Sequence, residues 1–480
     1  MELVSNIIIL SCFVGVVLLI LTGKLNRAIA SLVGALVVFL TLIFIENKDF
    51  SIIVDFLFGS DEDNFVNLHS LILILSMMFI VQIAHEAGLF QFISISLIKL
   101  TGERPIYLLI IFSIITVILS SILNNILTVI ILIPLIITVS RILSINPSPY
   151  ILTQAILVNI GGTVFSISSI PNILITSYQS ITFIAFFLNV GIISIVIFPL
   201  TLLFFIFLYK KDLEIPTGGF QVLSEINIWN FVQNKMLLYK SAVALILTLL
   251  LFIIIPPNII SIDIIALTVA LILIITSRLN AKELISKIDL ELLLYLLGIF
   301  IISGALENTG ILDLIGESIS SIAGGNPLTQ ILIIMWFSAY LSSNIDNIPI
   351  TKILIPVIGN IPSIHNANQP FYSLAIGANW GDNLTPMGDN ILVANIAEQN
   401  KRPIRMKQFF KLGFFTTNYQ LSIITIFYVL IYQFFVGLLI ILIIFVILFI
   451  FFIVQKLSSK RGKKSKIDNI IRKIRNLIIN

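Results

Sequence analysis

The sequence predicts an all-α polytopic membrane protein built from two inverted-topology repeats. Hydrophobic residues make up 58% of the 480 residues and charged residues only 11%, and the mean hydropathy is +1.11. Charge-free stretches of about 20 apolar residues follow one another, each long enough to cross a hydrocarbon layer of roughly 30 Å. Residues 120–134 (SSILNNILTVIILIP) also align without a gap with residues 342–356 (SSNIDNIPITKILIP), at an offset of 342 minus 120, or 222 positions. An internal duplication of this kind is typical of secondary transporters.

The apolar stretches predict eleven crossings and two segments that do not cross. The crossings of the first half are 4–21, 28–45, 69–86, 151–177 and 183–208. Those of the second half are 238–255, 260–277, 290–306, 371–397 and 410–432, followed by an extra span at 434–454. Five crossings in each copy is an odd number, so the two copies are expected to lie upside down relative to each other.

This pattern divides the chain into five regions. The first inverted repeat is 1–208, a cytoplasmic linker is 209–237, the second inverted repeat is 238–432, the extra span lies in 433–455 and a basic tail is 456–480.

The distribution of basic residues predicts the orientation in a plasma or inner membrane. Lys24 and Arg27 follow the first crossing, and Lys210 and Lys211 follow the fifth, whereas the intervening loops are acidic or neutral. The positive-inside rule then places the N-terminus outside and the C-terminus in the cytoplasm. The tail, with nine basic residues in 456–475, is expected to contact anionic lipid headgroups of the bilayer. Because the high pI comes from this tail, it does not indicate a nucleic-acid partner.

Several classes of function lack their motifs. The single cysteine, Cys12, allows no intrachain disulfide and no cysteine-based metal cluster, and neither His69 nor His365 has a metal-ligand partner at helical spacing. No nucleotide-binding fingerprint is present, so we expect neither an ATP-driven pump nor a bound cofactor. We expect no enzyme and no catalytic residue, although an integral-membrane enzyme and an ion channel stay open as alternatives. The sequence also leaves open whether the chain forms a homodimer.

The two non-crossing segments, 105–142 and 328–361, are predicted to be re-entrant hairpins. Each has an apolar arm, a polar tip and a second apolar arm with a proline. Arg104 and Arg141 flank the first segment and both need the cytoplasmic side, which favours a hairpin over two spans. Backbone that is not helical at this depth is tolerated only where it is buried in protein or lines a cavity.

The crossings that follow the hairpins are predicted to be broken helices, at 151–177 and 371–397. Their centres read NIGGTVFSISSIPN (159–172) and NWGDNLTPMGDN (379–390), and such residues disrupt a helix and free backbone groups for a ligand. We therefore expect the tips and the breaks to converge on one substrate and ion site near the midplane. The candidate binding residues are Asn124, Asn125, Thr128, Asn159, Gly161, Gly162, Thr163, Ser168, Asn172, Asn344, Asp346, Asn347, Lys352, Asn379, Asp382, Asn383, Thr385, Asp389 and Asn390.

These motifs give the chain its resemblance to a known family. NIGGTVFSISSIPN is similar to the GGT-then-PPN signature of the ion transporter superfamily, and LSSNIDNIPITKILIP is similar to its hairpin motif. The chain resembles in particular the ArsB/NhaD permease branch of arsenite-efflux permeases, sodium/proton antiporters and citrate or dicarboxylate carriers. The resemblance spans residues 4–430. It implies a substrate and a coupling ion between the hairpin tips and the unwound helices.

The first half departs from the family at its hairpin tip and helix break, where Asn124-Asn125 and Ser169-Ile170-Pro171-Asn172 stand at positions that often carry Asp in the family. The second half keeps Asp346, Asp382, Asp389 and Lys352. A charge at membrane depth is costly and is usually functional. The three carboxylates are the candidate sodium ligands, and Asp346 is the candidate for binding the coupling ion, Na⁺ or H⁺. Lys352 lies six residues after Asp346, so a structural ion pair between them is the alternative. The sequence does not decide between arsenite, sodium and a small carboxylate as substrate.

Overall fold

The computed structural model describes residues 2–460, except for 23–24, 62–63, 102–103, 214–224, 226, 362–366 and 386–388. Every regular element within these ranges is helical, which confirms the all-α class. The basic tail beyond residue 460 lies outside the described residues, as do residues 214–224 and 226 of the predicted linker (209–237).

The described residues of the first half form ten α-helices. They are α1 (Glu2–Leu21), α2 (Arg27–Phe44), α3 (Ser51–Phe58), α4 (Val66–Glu86), α5 (Leu89–Ile98), α6 (Pro105–Ile122), α7 (Asn125–Ile142), α8 (Ser148–Gly161), α9 (Ile170–Tyr178) and α10 (Phe183–Tyr209). Helix α10 includes a π-helical turn at Phe187–Gly191.

In the second half, the first α-helix begins at Lys235. The helices of this half are α11 (Lys235–Ile254), α12 (Ile262–Ser277), α13 (Ala281–Ser286), α14 (Leu290–Asn308), α15 (Ile311–Ala323), α16 (Pro327–Ser342), α17 (Asn347–Gly359), α18 (Gln369–Gly381), α19 (Asp389–Gln399), α20 (Met406–Tyr432) and α21 (Phe434–Lys460).

Nine helices in the described part of the chain are long and apolar enough to cross a membrane. Seven of them correspond to predicted crossings, and the other two are α6 and α7, the arms of the first predicted hairpin. The predicted crossings at 151–177 and 371–397 are each divided into two shorter helices, and α12 has only 16 residues. The count of eleven crossings therefore stays a prediction, whereas a multi-pass membrane protein is shown.

Helix boundaries in the two halves correspond at the offset found in the sequence. Helices α6 and α16 both begin at a proline, Pro105 and Pro327, whose fixed φ and missing N–H suit the first helical position. Helices α5 and α15 both follow a left-handed glycine, Gly88 at φ 79° and Gly310 at φ 73°. Only glycine adopts this conformation without strain, so both turns depend on it.

Packing contacts also recur. The hydroxyl of Ser120 donates to the Val158 carbonyl at 2.5 Å, and the hydroxyl of Ser342 donates to the Ala378 carbonyl at 2.6 Å. These bonds join α6 to α8 and α16 to α18. Across the halves, α7 packs against α19, and α17 packs against α9. In each half, the second arm of the predicted hairpin thus packs against the second part of the other half's divided helix.

Candidate functional site

The tips of the two predicted hairpins line the same cavity. Asn124 caps α7 by accepting a hydrogen bond from the Leu127 N–H at 2.8 Å, and Asp346 caps α17 by accepting one from the Ile348 N–H at 3.4 Å. Side chains with a short polar oxygen are preferred at this position because the first helical N–H groups lack partners. Both tips line a cavity of about 30 Å³, together with Ser169 and Pro171 from the first divided helix.

A chain of buried amides runs from the first tip into the second half. Asn125 Nδ2 donates to Asn159 Oδ1 at 2.6 Å, and Asn159 Nδ2 donates to Asn383 Oδ1 at 2.7 Å. A second link between the halves joins Asn379 Nδ2 to Asn172 Oδ1 at 2.8 Å. Because all five side chains are buried, each amide group left without a partner would carry a desolvation penalty. The oxygen of Asn379 accepts no hydrogen bond from the described residues.

The break in the first divided helix is narrower than predicted. Helix α8 continues to Gly161 and α9 begins at Ile170, so Asn159 and Asn172 lie within helices. The side chain of Asn172 closes the break by donating to the carbonyls of Gly162 at 2.9 Å and Phe165 at 3.1 Å. A Cβ atom on Gly162 would lie 2.7 Å from Asn125 Oδ1, so glycine is needed for the tip to approach.

Two further predicted residues stabilise this break. Thr163 accepts a hydrogen bond from Trp380 Nε1 at 3.0 Å and shares another with Ser194 at 2.8 Å. Ser168 donates to the Phe165 carbonyl at 2.6 Å and borders a cavity of about 40 Å³ next to Asn124.

The second divided helix borders a larger cavity of about 470 Å³. Helix α18 ends at Gly381 and is followed by a short 3₁₀ turn, Asp382–Leu384, so this break too begins later than the predicted residue 379. Asp382 is buried and lines the cavity together with Asn344 and Asp346 of the second tip. Asn390 donates to the Asp382 carbonyl at 2.8 Å, and Thr385 donates to the Ser343 carbonyl.

The remaining candidate binding residues differ in their burial and in their contacts. Thr128 is buried and donates to the Asn124 carbonyl at 3.1 Å, and Gly161 packs against Ser120. Asn347 is buried at the second tip, whereas Asn344 is exposed. Asp389 begins α19, and its side chain lies outside the described part of the structure.

Lys352 does not form the ion pair with Asp346 that the sequence suggested as one alternative. Its ammonium group donates to Asn67 Oδ1 at 2.7 Å and lies 5.0 Å from the centre of the Phe300 ring. Residues advance by about 100° per position in a helix, so a spacing of six turns the second side chain to another face. Lys352 thus contacts α4 and α14 rather than the hairpin tip.

The residue beside Asp346 is Arg27, which sequence reasoning used only as a marker of orientation. Arg27 Nη1 lies 3.9 Å from Asp346 Oδ2, Nη2 lies 3.8 Å from Asp289 and Nε lies 3.5 Å from Glu291. Its guanidinium also lies 5.7 Å from the centre of the Tyr295 ring. Arg27 borders both the 470 Å³ cavity and the 30 Å³ cavity. A single arginine at the start of a long apolar stretch was the available signal for its role.

His69 also has a partner that sequence spacing did not show. Its Nδ1 lies 2.9 Å from Asp263 Oδ2, which joins α4 to α12 beside a separate cavity of about 740 Å³.

Together, the apolar helices and the polar centre shared by two halves define a multi-pass membrane protein of the transporter class. The chain belongs to the citrate transporter (CitMHS) family, a member of the ion transporter superfamily, whose model matches residues 17–371 and 249–478. The proteins of this family are transporters, which confirms the expectation that the chain is not an enzyme. The assignment to the ArsB/NhaD branch stays a prediction.

Similar proteins have been recorded in bacteria and mammals. The chain is 27% identical over 418 residues to a 46 kDa membrane protein of Mycobacterium leprae, covering 86% of this chain and 95% of that protein. It is 24% identical over 428 residues to an uncharacterized transporter of Mycobacterium tuberculosis, covering 88% and 97%. It is 25% identical over 487 residues to the P protein of Homo sapiens, covering 83% of this chain and 57% of that longer protein.

Proposed function

We propose that the protein is an ion-coupled secondary active transporter that moves a small carboxylate or a small inorganic ion by alternating access. The observation that carries the proposal is the convergence of two hairpin tips and two divided helices on one set of polar side chains. Each half contributes one tip and one break, and hydrogen bonds such as Asn159 to Asn383 cross between the halves. A site shared in this way changes its access when one part of the protein moves against the other.

The proposal includes inverted repeats and re-entrant hairpins. Helix α17 has 13 residues, and at 1.5 Å per residue it rises about 20 Å, too little to cross a hydrocarbon layer of roughly 30 Å. Arg141, at the end of α7, donates to the Asn400 carbonyl at 2.8 Å, next to the basic residues Lys401 and Arg402. This contact supports an end of α7 on the face that carries the basic loops.

The polar groups around the tips suit both an anion and a cation. Helices α7 and α17 begin at the tips, and the partial positive charge of a helix N-terminus favours a substrate carboxylate. The carboxylates of Asp346 and Asp382 favour Na⁺ or H⁺ as the coupling ion. Membership in the citrate transporter family supports citrate or a related carboxylate as the first substrate to test.

The test is flux in proteoliposomes that contain the purified protein, with sodium and proton gradients imposed separately. Citrate, a dicarboxylate and arsenite are offered in turn as labelled substrates, and ²²Na⁺ flux is followed as well. We expect accumulation of one substrate above its equilibrium level only when one of the two gradients is present. Flux that only dissipates the substrate's own gradient, whatever the second ion, would contradict coupling and indicate a channel.

A further inference from the structure

Arg27 occupies an unusual position for a cation. It is the first residue of α2, where the helix dipole disfavours positive charge, and its side chain is 23% exposed. Three carboxylates surround the guanidinium: Asp346 from the second hairpin tip, and Asp289 and Glu291 from the start of α14. One guanidinium and three carboxylates sum to a formal charge of −2. These four described side chains therefore carry more negative than positive formal charge beside the 470 Å³ cavity.

None of these three contacts is a close pair. The N···O distances of 3.5 to 3.9 Å exceed the 2.7–2.9 Å that is usual for a charge-assisted hydrogen bond. A movement of about 1 Å would bring the guanidinium into direct contact with either Asp346 or the α14 pair. The position of Arg27 is thus shared between the hairpin and the start of α14.

The three carboxylates belong to two different parts of the structure. Helices α2 and α14 pack along each other and carry Arg27, Asp289 and Glu291. Asp346 is carried instead by the hairpin, at the N-cap of α17. An ion pair between Arg27 and Asp346 therefore ties the hairpin tip to the α2–α14 pair, and its loss frees the tip from this contact.

We propose that Arg27 is a positioning residue that acts as an internal substitute for the coupling ion at Asp346. In the absence of the ion, the guanidinium neutralises Asp346 and holds the tip against α2 and α14. When Na⁺ or H⁺ binds Asp346, Arg27 shifts to Asp289 and Glu291, and the tip is released. This inference rests on the proposed function, because it requires a coupling ion at Asp346.

The test measures ion binding directly and needs no knowledge of the substrate. Cys12 is replaced by serine, and Asn395→Cys places a single cysteine at an exposed position that lines the cavity and is not one of the candidate binding residues. The alkylation rate of this introduced cysteine is followed in proteoliposomes against Na⁺ concentration at fixed pH. It is also followed against pH in Na⁺-free buffer, after division by the rate of a small free thiol at the same pH, because the thiolate fraction of any cysteine changes with pH. The midpoint of the change reports the ion affinity of the tip.

Arg27→Gln removes the internal competitor, so the midpoint is expected at about tenfold lower ion concentration. Arg27→Lys keeps the positive charge and is expected to stay within about threefold of the unaltered protein. Arg141→Gln is the matched control, because it removes an arginine that bonds the Asn400 carbonyl instead of these carboxylates. A structural role alone would lower protein abundance without moving the midpoint.

A second variant separates competition from simple electrostatics. Asp289→Asn keeps the N-cap of α14 but removes one alternative partner, so Arg27 should stay with Asp346 and weaken ion binding. In the Arg27→Gln background the same change should have little effect, because no competitor remains to redirect. If the two effects simply add, the charges act through space and the proposal is overturned.

The outcomes distinguish this inference from the proposed function. If neither the alkylation of the introduced cysteine nor the flux of the unaltered protein responds to either ion, both proposals are contradicted. If the protein responds to one ion but Arg27→Gln leaves the midpoint unchanged, the proposal of a coupled transporter stands. The role of Arg27 as a competitor for Asp346 is then rejected.

Discussion

The side-chain nitrogen of Asn159 lies 2.7 Å from the side-chain oxygen of Asn383, and this hydrogen bond joins the first half of the chain to the second at the centre of the protein. Asn159 at the same time accepts a hydrogen bond from Asn125 at the first hairpin tip. The tip of one half is therefore linked through a single amide to the break in the other half. We therefore expect movement of the tip to change the geometry of the break through this link.

The first prediction concerns that link. Asn159→Leu removes both hydrogen bonds and leaves the buried amides of Asn125 and Asn383 without this partner, at a cost of about 1–3 kcal/mol each. We expect transport to be lost and the melting temperature of the purified protein to fall. Asn418→Leu is the control, since Asn418 is half-buried and its side-chain oxygen accepts a hydrogen bond from Tyr340 at 2.8 Å rather than from a residue of the amide chain. Unchanged flux in Asn159→Leu would show that the link is dispensable.

The second prediction concerns the tips themselves. Asn124→Leu, Asn125→Leu, Asn344→Leu and Asn347→Leu should each abolish transport while membrane insertion stays intact, because these amides offer the polar groups that face the cavities. Insertion is measured by surface labelling and transport by proteoliposome flux. Retained transport in the buried-tip variants Asn125→Leu and Asn347→Leu would remove the tips from the site.

The third prediction concerns two glycines that lie 222 positions apart. A Cβ atom on Gly191 would overlap the Val164 carbonyl, and one on Gly413 would overlap the Asn383 carbonyl, so α10 and α20 pack directly against the two breaks. Gly191→Ala and Gly413→Ala should each destabilise the protein by about 1–3 kcal/mol through overpacking. Gly15→Ala is the matched control, because nothing lies within 4 Å of the added methyl group. Equal thermal stability of all three variants would contradict this packing.

Much of the central network could be predicted from the sequence. Asn125, Asn159 and Asn383 stand out because amides are costly in apolar stretches, and Asn125 recurs as Asn347 at the offset of 222. Arg27 could not be assigned in the same way, because its carboxylate partners are more than 260 positions away along the chain. Its place beside Asp346 depends on how α2 packs on α14, which no local pattern encodes. Both divided helices are interrupted inside the predicted stretches, but the predicted breaks begin too early. Helical hydrogen bonding continues through Asn159 and Asn379 despite the glycines that follow.

The fourth prediction concerns orientation. In a protein whose Cys12 is replaced by serine, cysteines introduced in place of Asp61 and Lys464 should react with a membrane-impermeant reagent from opposite sides, the one at Asp61 from outside. The reason is that basic residues follow alternate crossings and are retained in the cytoplasm. Labelling of intact cells and of inverted vesicles provides the comparison. Reaction of both positions from the same side would contradict the predicted topology.

The last prediction concerns Asp346. If its carboxylate binds the coupling ion, Asp346→Asn should abolish gradient-driven flux while protein abundance stays near that of the unaltered protein, because asparagine can still cap α17. If Asp346 only neutralises a nearby cation, removing that cation as well should restore coupled transport, since no charge is then left unpaired. Two double variants test this: Asp346→Asn with Arg27→Gln, which removes the cation 3.9 Å away, and Asp346→Asn with Lys352→Met. Because Lys352 is directed to Asn67, its double variant serves as the control for nonspecific effects of removing a positive charge. Full recovery in the Arg27 double variant would reduce Asp346 to a structural counter-ion, whereas continued loss of coupling in both would leave its carboxylate as the group that the coupling ion requires.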